Sequence, residues 1–311
     1  MNCTLIVNPL SRSGRSRRRL PGILSECHSS GIKTSVFQAS SYSEIKYLSE
    51  RANQYNDEII VAVGGDGTIN AVLNGFYDEE GKRNSNSKLG VIYTGTSPDF
   101  CKSYNICLDE KKAIQDLKSG ASTPMIPGRI RFLSRNGAKK EETRYFACCT
   151  NVGIGASIAR DSNRIRKYAG DFGGTFISML KNLLVYKSKT LFLEIDHECH
   201  CIEKAVNISI GKTPYIASGI KVKEDHRMNG DGFYVLTASG LSILNFPGLV
   251  KQIYSGDIGG TDYLRLSMGN HISLCADDPD VEVEFDGDPA GYLPCSIGPA
   301  AEAVELICGG G

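Results

Sequence analysis

This chain of 311 residues predicts an α/β domain built on a parallel sheet, followed by a second, mostly antiparallel β-sandwich domain. Three observations lead there. Up to about residue 120, short runs rich in Val and Ile alternate with segments whose apolar residues recur at helical spacing. After Ser119-Gly120-Ala121-Ser122 the rhythm changes to closely spaced strand-like runs. Between Glu58 and Phe76, a buried-type strand becomes a helix across a cluster of glycines.

In chain order, Cys3–Val7 reads as a strand and Ser16–Ser29 as a helix with Leu20, Ile23, Leu24 and Cys27 on one face. Lys33–Gln38 is the next strand, and a helix runs from Ser43 to about Asn56. The Glu58–Val63 strand leads into a helix marked by Ile69, Val72, Leu73 and Phe76. Polar Asp78–Lys88 is a loop, Leu89–Tyr93 a short strand, and a helix carrying Ala113, Ile114 and Leu117 closes the segment. Such alternation implies a Rossmann-like parallel sheet with helices on both faces.

In the second part, Arg129–Leu133 and Thr143–Cys148 flank an Asn136-Gly137 turn signal and read as a hairpin. Strands follow at Thr190–Asp196, Ala205–Ile210, Gly232–Ala238, Leu264–Met268, Ile272–Ala276 and Val281–Phe285. Helices are expected only near Ile154–Ala169, Phe172–Lys187 and Ser242–Tyr254. The expected domains are therefore 1–122 and 123–311, with the last strand free to return to the first domain.

An apolar content of 41% is ample for two cores, and 23% charged residues argue against disorder. Lys plus Arg equals Asp plus Glu at 35 each, so no global field favours nucleic acid. Basic charge is concentrated locally at Arg12, Arg15, Arg17, Arg18 and Arg19. No apolar run is long enough to span a bilayer. The start, MNCTLIVNP, lacks the basic-then-apolar pattern of a signal peptide. Eleven cysteines, an odd number at irregular spacings, read as reduced thiols in the cytoplasm.

The chemistry concentrates at strand ends. In Gly64-Gly65-Asp66-Gly67-Thr68, glycines let a ligand approach bare N–H groups, and the following helix start adds unpaired donors and partial positive charge. A carboxylate, Asp66, would repel phosphate unless a divalent cation lay between them, so the loop suggests a nucleotide with a metal. Neither the Walker spacing nor the dinucleotide G-x-G-x-x-G spacing is present. A second cluster, Tyr93-Thr94-Gly95-Thr96-Ser97-Pro98-Asp99-Phe100, also follows a strand, and ends of neighbouring parallel strands share a crevice. Asn8-Pro9-Leu10-Ser11-Arg12-Ser13-Gly14-Arg15 is a third strand-to-helix loop, in which Arg12 and Arg15 suit phosphates or anionic head groups.

Phe285-Asp286-Gly287-Asp288-Pro289 offers two acids for general-base work, or an acidic turn. Met228-Asn229-Gly230-Asp231-Gly232-Phe233 suits either a hard cation or a plain turn. The tract Asp196-His197-Glu198-Cys199-His200-Cys201 looks like zinc ligands but lacks a second pair at finger spacing.

In combination, the N-P-x-S element, GGDGT, the G-T-x-x-D-F element and the late D-G-D resemble the diacylglycerol kinase catalytic domain, whose superfamily includes the NAD kinases. The resemblance implies a lipid kinase that transfers the γ-phosphate of ATP to a hydroxyl of diacylglycerol or a related membrane lipid. The alternatives are a soluble polyol or NAD-type kinase, and a non-catalytic nucleotide-binding regulator.

Residue by residue, the resemblance makes Asn8, Ser11 and Arg12 part of the nucleotide loop and lets Gly64, Gly65, Asp66, Gly67 and Thr68 cradle the triphosphate. Thr94 and Thr96 lie nearby, and Asp99 helps to fix nucleotide and metal. Asp231, with the backbone of Met228 and Phe233, matches a structural magnesium site, and Asp286 and Asp288 match the acidic pair, Asp288 as base. ATP and Mg²⁺ are the implied cofactors. Transient contact with a membrane surface is implied for a cytoplasmic enzyme, and a homodimer is left open. Three positions depart from the family pattern. Ser97-Pro98 replaces Gly-Asn, Asp288 replaces the usual Glu, and Lys221–His226 lacks the usual small and proline residues.

Overall fold

β1 (Asn2–Val7) buries five of its six residues, as a strand covered on both faces must. Its neighbours are β2 (Lys33–Gln38) and β3 (Ile59–Gly64), both parallel to it, and β4 (Lys88–Tyr93) runs parallel to β3. In the computed structural model the described residues are 1–135, 140–158, 161, 182, 186–213, 215–216, 220–221, 232–241, 263–278, 280–286 and 288–309, with backbone alone at 215–216, 220–221 and 288–290. The chain divides into two compact units, one of residues 1–127 with 300–311 and one of residues 128–299.

In the first unit, α1 (Ser11–Ser29) carries three left-handed residues, Arg12, Ser13 and Gly14, so its regular part begins beyond them. Leu20, Ile23 and Cys27 form its buried face. α2 (Tyr42–Gln54) is entered through a capping box between Ser41 and Glu44 and buries Ile45, Ser49, Ala52 and Asn53. α3 (Asp66–Asn74) and the short α4 (Asp99–Ser103) open on acids, and α5 (Glu110–Ser119) is capped by Asp109.

β5 (Ser122–Met125) pairs antiparallel with the last strand, β18 (Val304–Ile307), which itself lies beside β4. The sheet order is β2-β1-β3-β4-β18-β5. Pairing of β5 with β18 keeps residues 122–125 in the first unit, so the boundary falls later than the change of rhythm at residue 122 suggests.

The second unit is antiparallel throughout. β6 (Gly128–Ser134) and β7 (Glu141–Phe146) form the expected hairpin, whose Asn136-Gly137 turn lies outside the described residues. The unit continues through β8 (Cys149–Gly153), β9 (Lys189–Ile195), β10 (Glu198–Gly211), the small pair β11 (Tyr215–Ile216) and β12 (Ile220–Lys221), and β13 (Phe233–Ser239). β14 (Leu264–Gly269), β15 (Ile272–Ala276), β16 (Glu282–Phe285) and β17 (Asp288–Pro299) complete it.

Two long bent strands close a ring in the order β10-β8-β16-β17-β15-β9, because β10 also pairs with β9 through its first half. The ring surrounds Phe132, Phe146, Val152, Ile208, Phe233, Val283 and Phe285, all but excluded from solvent. A parallel-sheet domain and an antiparallel barrel or sandwich domain are the fold class that the sequence predicts. The helices expected at 154–169, 172–187 and 242–254 fall largely outside the described residues.

Candidate nucleotide and phosphate site

In the first sheet, the connection from β1 runs to β2 on one side and that from β3 runs to β4 on the other. A crevice outside the carboxyl ends of β1 and β3 is where this class of sheet binds ligands. Three loops converge there.

The first is the Asn8 loop. The Asn8 amide N donates to the Val63 carbonyl at 3.0 Å. Its side-chain oxygen accepts from the Leu10 amide at 3.0 Å, and its Nδ2 donates to Thr68 Oγ1 at 3.3 Å. Asn8 thus ties its own loop to the start of α3. Beyond it, Arg12 and Ser13 hold φ of 44° and 53°, a left-handed run that turns the chain before α1 proper.

The second loop is Gly64–Thr68. Gly65 caps α3, its carbonyl accepting from Thr68 and Ile69 amides at 2.9 and 3.0 Å, which leaves Asp66 and Gly67 in the first turn, where backbone N–H groups point outward. Gly67 is exposed and Asp66 is half-buried. The third loop leaves β4. The Thr94 amide donates to the Gly64 carbonyl at 2.8 Å, and the buried Thr94 and Ser16 hydroxyls lie 2.6 Å apart.

Where the second and third loops meet, only glycine fits. A Cβ on Gly95 would stand 2.4 Å from Gly65 Cα and 2.7 Å from the Tyr93 hydroxyl. A Cβ on Gly65 would lie 3.2 Å from Gly95 Cα and 3.7 Å from Ser11 Oγ. The backbones therefore touch, forming a floor without side chains beside a helix start.

Tyr93 reports the charges around that floor. Burial pushes its phenol well above the usual range, the charges of Asp66, Cys101 and Asp99 push the same way, and Arg12 opposes them. Asp66, Asp99 and Arg12 thus all lie close enough to act on one phenol. Cys101 is likewise raised by burial first and Asp66 second.

Sequence reasoning places Thr68 and Thr94 beside the nucleotide, but both are buried and their hydroxyls hold loops together. Thr96 is half-buried between Gly95 and α4, and Asp99 is the first residue of that helix. Ser16 is the residue such reasoning misses, and Tyr93 and Gly95, though within the second cluster, are given no role by it. Gly95 carries a signal, a glycine just past a strand end, whereas the Ser16–Thr94 pairing has none. These contacts suit the phosphates of a nucleotide, since backbone donors, an acid pair and Arg12 are all in place.

In the second unit, the Asp286 amide donates to the Cys149 carbonyl at 2.9 Å. Its carboxylate accepts from the amides of Ala147, Cys148 and Cys149 at 2.9, 3.0 and 3.3 Å. Asp286, with φ of 46°, therefore anchors the turn between β7 and β8. Asp286→Ala should lower unfolding stability by about 3 kcal/mol by orphaning these donors, with Asp286→Asn costing less, as denaturant titration would measure.

Asp288 begins β17, its backbone paired with Phe285, and its side chain lies outside what is described. Phe233 pairs with Gly269, and its ring packs 6.0 Å from that of Phe146. Met228 and Asp231 lie outside the described residues. Among the described residues, no group of three or more His, Cys, Asp or Glu is placed to hold a metal ion, the 196–201 tract included. Cys199 and Cys201 are exposed, whereas His200, between them on β10, is only half-exposed. No helix of the described residues is long and apolar enough to cross a membrane.

Comparison with known proteins agrees with this geometry. Residues 2–130 match the diacylglycerol kinase catalytic domain, and residues 149–308 match the YegS C-terminal NAD kinase beta sandwich-like domain. A Diacylglycerol kinase of Staphylococcus aureus (strain MRSA252) is 25% identical over 296 residues, covering 94% of this chain and 88% of that protein. Among solved structures, a diacylglycerol kinase from Bacillus anthracis str. Sterne superposes with a TM-score of 0.68 at 15% identity, covering 99% of this chain and 97% of that one. Yeast NADH kinase complexed with NADH aligns at a TM-score of 0.56 and 12% identity, over 100% of this chain and 84% of that one. Two family matches in tandem, lying on the α/β unit with its glycine-floored loops and on the antiparallel ring, mean that the chain belongs to the diacylglycerol kinase catalytic-domain family and is a phosphotransferase.

Proposed function

We propose that this protein is an ATP- and Mg²⁺-dependent lipid kinase acting on a hydroxyl of diacylglycerol or a related membrane lipid. The observation that carries this reading is the contact of Gly65 with Gly95 beside Asp66, Asp99 and Arg12. Bound as a magnesium complex, ATP supplies an electrophilic γ-phosphorus, and phosphoryl transfer then depends mainly on positioning and charge stabilisation.

The residues of the chain divide that work. First-turn amides of α3 and the bare backbone of Gly65 and Gly95 hold phosphate oxygens. Arg12 balances their charge from the first loop. Asp66 and Asp99 would hold the cation, and Asp288 would accept the proton of the attacking hydroxyl. The family resemblance implies a second magnesium, which Asp231 and the backbone of Met228 and Phe233 would hold. The membrane is met transiently from the cytoplasm. Exposed Arg17 and Arg18 on α1, and Leu10 at 66% exposure just before it, suit an anionic lipid surface.

The likeness to NADH kinase favours a second reading, a kinase for a soluble dinucleotide. Incubation of the full chain with magnesium ATP and either diacylglycerol in mixed micelles or NAD separates them. Labelled phosphate is expected in the lipid. Label in NAD alone overturns the lipid reading, and nucleotide binding without transfer to any acceptor makes the protein a regulator.

A further inference from the structure

One face of the second unit carries a buried polar chain that neither the phosphate site nor the acidic pair uses. Val152, Ile208, Val283 and Phe285 belong to the ring core, so their neighbours Asn151 on β8, Asn207 on β10 and Glu284 on β16 face the other way. Register sets Asn151 opposite Glu284, and Asn207 opposite Gly153, two residues further along β8. The Asn207 side-chain oxygen accepts from the Gly155 amide at 2.9 Å, and its Nδ2 donates to Asn151 Oδ1 at 3.1 Å. Asn151 Nδ2 in turn donates to Glu284 Oε1. Glu284 is only 4% exposed.

This chain has one direction. An amide side chain accepts at its oxygen and donates at its nitrogen. The Gly155 N–H claims the Asn207 oxygen, which turns each following amide nitrogen toward β16 and ends the chain on a carboxylate. Reversing either amide would set donor against donor. Space leaves no slack, because a Cβ on Gly155 would lie 2.8 Å from both Asn207 Oδ1 and Asn151 Cβ.

The chain ends beside the acidic segment. The Glu284 carbonyl accepts from Thr150 Oγ1 at 2.6 Å, and Asp286 is anchored to the amides of residues 147–149. Between them, Phe285 pairs with the backbone of Asp288. Val283 and Phe285 already bury this strand in the core, so a buried carboxylate is not needed to hold it there. A fully connected buried polar network adds directional constraint more than stability.

We propose that Asn207, Asn151 and Glu284 are positioning residues that set the orientation of the 286–288 segment toward the acceptor hydroxyl. The proposal rests on the reading of Asp288 as proton acceptor.

Steady-state kinetics of the full chain with magnesium ATP and diacylglycerol in mixed micelles tests it, with a thermal melt for each variant. Asn151→Asp sets two carboxylates face to face, and Asn151→Ser interrupts the chain without adding charge. Each should lower kcat by about tenfold or more, because small misplacements of a reacting group are that costly. KM for ATP should stay within about twofold, since the nucleotide loops belong to the first unit. Adding Glu284→Gln to Asn151→Asp should return kcat to within about threefold of wild type. The new amide then donates to the new carboxylate, whose other oxygen still accepts from Asn207. Wild-type kcat in Asn151→Ser overturns the proposal, and this variant decides alone if Asn151→Asp does not fold. A rise in KM for ATP that matches the fall in kcat overturns it, and so does a double variant as slow as Asn151→Asp. Asp288→Ala, assayed alongside, keeps the two readings apart. If it retains turnover, or if wild type phosphorylates no lipid, both readings fall together. If it is inactive while Asn151→Ser has wild-type kcat, the positioning proposal falls alone.

Discussion

Asp66→Asn should reduce phosphate transfer by about 10²–10³ or more while leaving the chain folded. Asp66 opens α3 and is half-buried, so its contribution to folding is chiefly a favourable charge at a helix N-terminus, about 0.3–1 kcal/mol. Its contribution to the proposed mechanism is larger, because its charge, with that of Asp99, acts on Tyr93, whose hydroxyl adjoins Gly95. Without that charge, a cation bridging carboxylate and phosphate loses an anchor. Turnover measured with presented lipid, next to a melting curve, checks both halves. A variant with wild-type turnover would remove Asp66 from the mechanism. Asp288→Ala should be equally inactive in the same assay while retaining nucleotide affinity, since a proton acceptor acts on the alcohol and not on ATP.

Gly95→Ala should damage the site more than the fold. The new Cβ would overlap Gly65 Cα at 2.4 Å and the Tyr93 ring system at 2.7–2.8 Å. The first obstacle is backbone and the second is the end of a buried tyrosine ring, so the two loops must move apart. Overpacking of this kind costs about 1–3 kcal/mol. It should also break the 2.8 Å hydrogen bond from the Thr94 amide to the Gly64 carbonyl. Nucleotide affinity should therefore fall more steeply than stability, which calorimetric titration and thermal melting would separate. Gly22→Ala is the matched control, because nothing lies within 4 Å of a Cβ there and Gly22 stands on α1, outside the three loops. Equal affinity losses in the two variants would mean that the contact of the glycine loops does not shape the site.

Much of the first unit was legible because its signals are local. β3 is a run of Ile and Val, α3 is announced by glycines and an acid, and α5 has Ala113, Ile114 and Leu117 on one face. In the second unit the strands at Thr190, Ala205, Gly232, Leu264, Ile272 and Val281 were each visible as alternating or apolar runs. β17 was not. Pro289, Pro294 and Pro299 with Gly291 and Gly298 argue against a central strand, yet it lies inside the ring and pairs with three neighbours. An irregularity between Tyr292 and Ser296 lets it bend, so that its two halves serve different partners. The first half of β10, Glu198–Lys204, was hidden for a simpler reason, being mostly polar and mostly exposed on a hairpin.

The sequence by itself determined the α/β and antiparallel halves, the three glycine- and acid-bearing loops and, through their motifs, the kinase family. Each of these depends on neighbours in the chain, where periodicity and backbone conformation act directly. Tertiary structure alone decided that β18 lies between β4 and β5, that Ser16 meets Thr94, and that Asp286 anchors the amides of residues 147–149. It also decided which hydroxyls hold loops together and left Gly65 and Gly95 as the bare floor. Those outcomes join residues far apart in the chain, and only the packing of whole elements sets which of them come within hydrogen-bonding reach.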